Sequence, residues 1–199
     1  LSFEVPRRAY EGDADLATAT PDDAAVGFQA IDVDQKLEGV ILDALTAGGH
    51  TLAVAEMVTG GGVAARLAPQ VAGGPIFRRG IVARDITQIA DAVGIGASAV
   101  ATGISEASAI AIAEGLRKVS GASHALAVLM DLDEGEDRIE LGGNICIGIA
   151  DPVGSLARPA RLLGGREWVR MGTIEMALDA LRRRLLGLQV DERIDFEKR

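Results

Sequence analysis

The chain has 199 residues, 48% of them hydrophobic but only 3% aromatic, and a net charge of -9. One good core built from Ala, Val, Leu and Ile is what such a length and mixture support, and it suits helices packed on a sheet better than an all-β sandwich. The acidity argues against nucleic-acid binding and against attraction to anionic membranes, both of which need Lys/Arg surfaces.

Residues 1–34 read as an acidic extension. Eight carboxylates (Glu4, Glu11, Asp13, Asp15, Asp22, Asp23, Asp32, Asp34) stand against Arg7 and Arg8, so the net of −6 is two-thirds of the chain's total. Such a composition predicts a solvated arm, poorly ordered or docked on a partner subunit through Phe3–Val5 and Val26–Ile31. A core domain is expected over 35–187, with a charged tail, 188–199, that frays. No leader-like apolar run and no membrane-length segment is present, and Cys146 is the single cysteine. A cytoplasmic setting follows as the expectation.

From Asp34 the pattern is helical, with Leu37, Val40, Ile41 and Leu45 on one face and Gly48-Gly49 as the stop. A strand is predicted at 51–55, then a glycine turn and a helix from about 60 to 68. Gly73-Gly74-Pro75 marks a turn and Gly80–Ala83 a second strand. Asp85 and Ser105 are the residue types that cap helices, one ending near Gly94 and one near Ser120. Strands follow at Ala125–Met130, Asn144–Ile149 and Ala157–Leu163, the first pair joined by the acidic connection Asp131–Asp137. Trp168, Met171, Ile174, Leu178, Leu181 and Leu185 form a stripe that assigns a last helix and its buried face. The order predicts an α/β fold: a three-layer α/β/α sandwich with a mixed sheet.

The stretch His50–Leu67 carries most of the functional signal. A helix start beyond a glycine turn exposes N–H donors beside the positive end of the helix dipole, a place for an anion or oxyanion. Gly60, Gly61 and Gly62 are therefore candidate ligand-binding positions. Arg166 and Arg170 join them, because cations in the first turn of the last helix call for a phosphate or a carboxylate. Thr59 and Glu56 are weak catalytic candidates, with helix capping and turn bracing as their structural alternatives. His50 and His124 each precede an apolar strand and belong at the sheet's other end. Neither they nor Asp131–Asp137 have the spacing of a metal site, so no metal and no cofactor is expected.

The motif Ala55-Glu56-Met57-Val58-Thr59-Gly60-Gly61 followed by Ala64-Ala65-Arg66-Leu67 is similar to the A-E-S-C-T-G-G and A-A-R-L blocks of the CinA (competence/damage-inducible) C-terminal domain family. Gly80–Ala83, Ile104–Gly115 and Gly164-Gly165-Arg166-Glu167-Trp168-Val169-Arg170 resemble its later blocks, in order, over roughly residues 35 to 187. The resemblance implies the fold and an activity: hydrolysis of the amide of nicotinamide mononucleotide by the motif serine. Met57 stands at that serine's position. The family's Tyr-Ser-Asn-x-x-Lys segment reads Arg84–Ile89 here, and its glycine loop T-G-I-A-G-P reads Leu129–Glu134. If Asp131, Asp133, Glu134 and Glu136 lined the same cleft they would repel a phosphate. The expectation is a domain that has kept the fold and lost the reaction, serving as a binding or homo-oligomeric scaffold for a small anionic or nucleotide ligand. The alternatives are an amidohydrolase rebuilt around Thr59, and a structural partner protein that docks through the arm 1–34.

Overall fold

The computed structural model describes residues 36–70, 72–133 and 141–191. The acidic segment 1–34, Glu134, Glu136 and residues 192–199 of the tail lie outside them. Helix α1 (Leu37–Ala47) leads to β1 (Leu52–Met57), then α2 (Gly62–Leu67) and the single turn α3 (Gly73–Ile76). Next come β2 (Phe77–Ala83), α4 (Ile86–Ala92), a 3-10 turn at Ala97–Val100, and α5 (Glu106–Ser120). The chain closes with β3 (His124–Met130), β4 (Gly142–Ala150), β5 (Ser155–Leu163) and α6 (Arg166–Leu185).

The strands form one sheet in the order β2-β1-β3-β4-β5. β1 is parallel to β2 and β3, while β4 runs antiparallel to both β3 and β5. The central strands β1 and β3 are buried along their whole length, as strands covered on both faces must be. Alternate residues feed two cores. Leu52, Val54, Leu126 and Val128 meet α1, α2 and α6 on one face. Ala53, Ala55, Ala125 and Ala127 meet α4 and α5 on the other. The three-layer α/β/α arrangement with a mixed sheet is thus the observed fold.

The alanine-lined face lets α5 lie close to the sheet. A Cβ placed on Gly148 of β4 lies 2.3 Å from the carbonyl oxygen of Ala109 and 2.6 Å from its carbon. Those are backbone atoms of a long helix and cannot swing aside. Gly148→Ala is expected to cost about 2–3 kcal/mol as overpacking, a fall of about 5–10 °C in Tm by thermal denaturation. A change under 1 °C would show that α5 shifts freely.

Local signals placed the helix starts well. Asp85 accepts the Thr87 N–H at 2.7 Å and Ser105 accepts the Ser108 N–H at 3.2 Å, each freeing one otherwise unpaired donor from solvent. Gly73-Gly74-Pro75, read as a turn, is the single helical turn α3, closed by the Phe77 N–H on the Gly73 carbonyl. Two expectations need correction. The stripe assigned to α6 holds at Leu178 and Leu181, which are fully buried, and at Ile174 and Leu185, which pack on the core, but fails at its start: Trp168 and Met171 are 60% and 62% exposed, and Val169, Thr173, Met176, Ala177 and Ala180 share the buried face. Beyond Gly187 the chain is still held, with Leu188 N–H bonded to the Arg183 carbonyl and Val190 buried.

Candidate functional site

The parallel register sets Met57, the last residue of β1, beside Ala83, the last of β2. The chain therefore leaves both strands at the same end of the sheet, where β1 has neighbours reached by connections running in opposite directions. Such a switch point opens a crevice at the carboxyl ends of the strands. Val58 still donates its N–H to the Ala83 carbonyl at 3.3 Å, but with φ 69°, a backbone region that a β-branched residue adopts only under strain. Gly60 and Gly61 follow at φ 73° and 83°, values open to glycine. These three positions double the chain back so that α2 starts beside the strand it has just left.

That reversal gives the helix start an anion from within the chain. Glu56, completely buried, accepts the Thr59 hydroxyl at 2.6 Å, the Val63 N–H at 3.0 Å and the Ala64 N–H at 2.8 Å. The carboxylate satisfies two orphan donors of α2 and sits at the positive end of its dipole. Thr59 is 3% exposed and does not itself cap the helix, contrary to its expected structural role; it braces the carboxylate that does. The first-turn donors Val63 and Ala64 are therefore occupied, while the N–H groups of Thr59, Gly60, Gly61 and Gly62 have no acceptor among the described residues.

Beside the turn lies an open hollow of about 320 Å³ lined by Val58, Gly60, Val82, Ala83, Arg84 and Arg170. Of the expected ligand-binding positions, Gly60 and Arg170 line it. Gly61 lies behind Val82, whose methyl is 3.2 Å from where a Cβ would stand. Gly62 is needed for packing, since a Cβ there would fall 2.1 Å from the Ile174 Cδ1 of α6. Arg166 points elsewhere and donates to the Asp133 carbonyl at 3.3 Å. Arg170 is paired with Glu167, one helical turn back. Arg84, exposed and without a partner among the described residues, supplies the second cation of the hollow. Sequence reading marked Arg84 only as the loss of a tyrosine; its place beside Gly60 comes from the β1–β2 register.

Met57, at the place of the family's nucleophile, is 6% exposed and packs into the core on the α4–α5 side. The described acids of the β3–β4 connection do not line the hollow. Asp131 accepts the Asn144 N–H at 2.9 Å, and Asp133 holds Arg161 at 2.6 Å and the Gly142 N–H at 2.9 Å. The repulsion expected from Asp131 and Asp133 thus falls away, because both are engaged elsewhere. Cys146 is buried in β4, and burial, with Glu106 adding to it, pushes its thiol up to about 12. It is a small core side chain. His50 and His124 lie at the opposite end of the sheet with ring centroids 4.5 Å apart. Among the described residues no group of three or more His, Cys, Asp or Glu side chains is arranged to hold a metal ion, and no helix is long and apolar enough to cross a membrane.

The comparison with known proteins agrees with this architecture. Residues 34–185 match the CinA C-terminal domain family. A CinA-like protein of Frankia casuarinae is 37% identical over 161 residues, covering 80% of this chain and 37% of that one. A CinA-like protein of Geotalea uraniireducens is 30% identical over 188 residues, 92% of this chain and 45% of its own length. The chain spans less than half the length of these curated relatives. The crystal structure of competence damage-inducible protein A (ComA) from Klebsiella pneumoniae superposes with a TM-score of 0.67 at 26% identity, over 77% of this chain and 97% of the other. With its sheet order, its glycine turn and its sequence all pointing one way, the chain belongs to the CinA C-terminal domain family.

Proposed function

We propose that this domain binds a small anionic ligand, a nucleotide phosphate or a carboxylate, in the hollow between Gly60, Arg84 and Arg170, alone or as part of a homo-oligomer, and does not hydrolyse nicotinamide mononucleotide. The observation that carries the reading is Met57. Amide hydrolysis needs a nucleophile and a proton acceptor at the carbonyl carbon. A thioether has no proton to give up, and this one is turned into the core. What remains is the part of such a site that binds: the Gly60 backbone and two guanidinium groups around an open cavity.

One contact favours the rival reading, an amidohydrolase rebuilt on Thr59. Its hydroxyl donates to Glu56 at 2.6 Å, the geometry of a nucleophile and its base. Against it, the same carboxylate is tied to two backbone N–H groups, and both side chains are shielded from any substrate. A hydroxyl that braces a buried cap has no path to a carbonyl carbon.

Purified protein incubated with nicotinamide mononucleotide is expected to release no ammonia above background, and Thr59→Ala is expected to behave the same. Inorganic phosphate or the mononucleotide should raise Tm, and Arg84→Ala with Arg170→Ala should remove that rise. Turnover in the parent that vanishes in Thr59→Ala would sink the binding-only reading in favour of its rival.

A further inference from the structure

The two edges of the sheet are not alike. At one edge β5 carries Pro159 in mid-strand, which removes a backbone donor and blocks the addition of another strand. It is also packed by α5 and α6. At the other edge β2 runs seven residues without a proline and pairs only with β1 among the described residues. Arg78, Arg79, Gly80 and Val82 of β2 are exposed. A strand edge in that state presents a row of unpaired N–H and C=O groups, the template for addition of a further strand.

The side chains on this edge specify what is added. The register with β1 shifts at its start: Leu52 pairs with Phe77, and Ala53 with Arg79, so β2 has one residue extra at Arg78. An extra residue of this kind breaks the alternation of faces, and here two successive arginines are exposed. Neither has a hydrogen-bond or ion-pair partner among the described residues. Arg66, Arg161, Arg170, Arg182 and Arg184 all have carboxylate partners. In a chain of net charge -9, an unmatched pair of cations on an open edge is a local reversal of sign.

We propose that the outer edge of β2 is a docking site for an extended, acidic segment of a partner protein, which adds as a sixth strand and places carboxylates against Arg78 and Arg79. Main-chain hydrogen bonds would supply the attachment and the two arginines the choice of partner. Antiparallel pairing of β2 with β2 of a second copy sets these arginines against their own kind in registers centred near them, and opposite Val82 and Ile81, with no counter-charge, in the register centred on Gly80. Nucleic acid fits less well, because two cations on an acidic domain neutralise few phosphates and offer a strand edge nothing to pair with.

The probe is a fluorescein-labelled octapeptide of alternating Glu and Val, with two controls: the same peptide N-methylated at alternate residues, and an octamer of single-stranded RNA. Saturable binding of the plain peptide by fluorescence anisotropy is expected, with slowed amide hydrogen exchange confined to residues 77–83. Arg78→Glu/Arg79→Glu, at exposed positions, should keep the parental Tm and bind at least tenfold more weakly. N-methylation, which removes the strand's donors but not its charge, should weaken binding by a similar factor. Equal binding of the N-methylated peptide would overturn the proposal in favour of simple charge attraction. So would tighter binding of the RNA, protection away from β2, a concentration-dependent dimer lost in the double variant, or absence of binding. Val82 and Ala83 belong to both the strand edge and the hollow, but Arg78 and Arg79 lie outside the hollow's lining, so failure of the double variant to weaken peptide binding leaves the proposed function, which rests on Arg84 and Arg170, standing.

Discussion

Replacing Glu56 with alanine is expected to lower the stability of the domain by about 3–5 kcal/mol, the cost of stranding buried polar groups that have lost a charged partner. The estimate rests on what the carboxylate leaves behind. The Thr59 hydroxyl and the N–H groups of Val63 and Ala64 all donate to it at 2.6–3.0 Å, and the site is sealed from water. α2 has six residues and no side-chain cap of its own, so no other acceptor stands ready at its start. By the usual scaling for a domain this size, Tm should drop by on the order of 10 °C. Glu56→Gln keeps one accepting oxygen but turns an NH2 group toward existing donors, so it should fall between alanine and the parent. Thr59→Ala removes one donor and leaves the helix cap intact; about 1 kcal/mol is expected. Urea denaturation of the three variants checks the order. If Glu56→Ala and Thr59→Ala proved equal, the carboxylate would not be what holds the turn against α2.

The same residues mark how far the sequence is readable. Element types follow from local chemistry, and Asp85 and Ser105 cap the helices that their residue types announce. The buried face of α6 follows in its second half, at Leu178 and Leu181, but not at its start. Its apolar stripe has the right period, but the buried face is set by which side chains fit under the helix. Thr173 is buried there because its hydroxyl is satisfied by the Val169 carbonyl at 2.7 Å, and Gly172 admits Leu162 closely. Ranking residues by hydrophobicity instead selects Trp168 and Met171, which face solvent. At the site, Gly60 and Arg170, both candidates from the sequence, line one hollow. The contribution of Arg84 was not legible, since it depends on Ala83 lying opposite Met57, a pairing between strands twenty-six positions apart in sequence. The bracing role read for Glu56 is met, but that its carboxylate caps α2, whose first residue Gly62 lies six positions on, does not follow from spacing. Only the backward fold of the chain at Val58, Gly60 and Gly61 brings them together.

Acid should destabilise this domain through His124, at the end of the sheet remote from the glycine turn. The ring is 5% exposed, its Nδ1 lies 2.9 Å from the Ser123 hydroxyl, and its neighbours are His50, Asp151, Arg117 and Arg184. Burial, with the nearby His50, Arg117 and Arg184 adding to it against Asp151, lowers its pKa from 6.5 to about 4. Asp151 does little to restore the charged form, because it is committed to Arg184 at 2.6 Å and to the N–H groups of Val153 and Gly154. The folded chain therefore keeps His124 neutral where the unfolded chain takes up a proton. Between pH 6.5 and about 4 the unfolded state binds more protons, and stability falls as pH falls. At 1.36 kcal/mol per unit, the whole window is worth about 3 kcal/mol, and nothing from this group appears above pH 6.5. Asp151 acts in a separate window. Burial raises its pKa, but the Arg184 guanidinium and the two N–H groups outweigh that and hold it at about 2. Its contribution is present above the ordinary carboxylate range and lost as pH falls from about 4 through 2. Urea denaturation of parent and His124→Gln at pH 7.5, 6.5, 5, 4 and 3 separates the two groups. The parent should hold its stability between pH 7.5 and 6.5 and lose it from there to pH 4, and the variant should lose distinctly less over that window while matching the parent's slope below pH 4. His50→Gln removes one of the neighbours that lower the His124 pKa and should lessen the loss without abolishing it. Identical slopes in parent and His124→Gln would assign the acid sensitivity to the carboxylates alone.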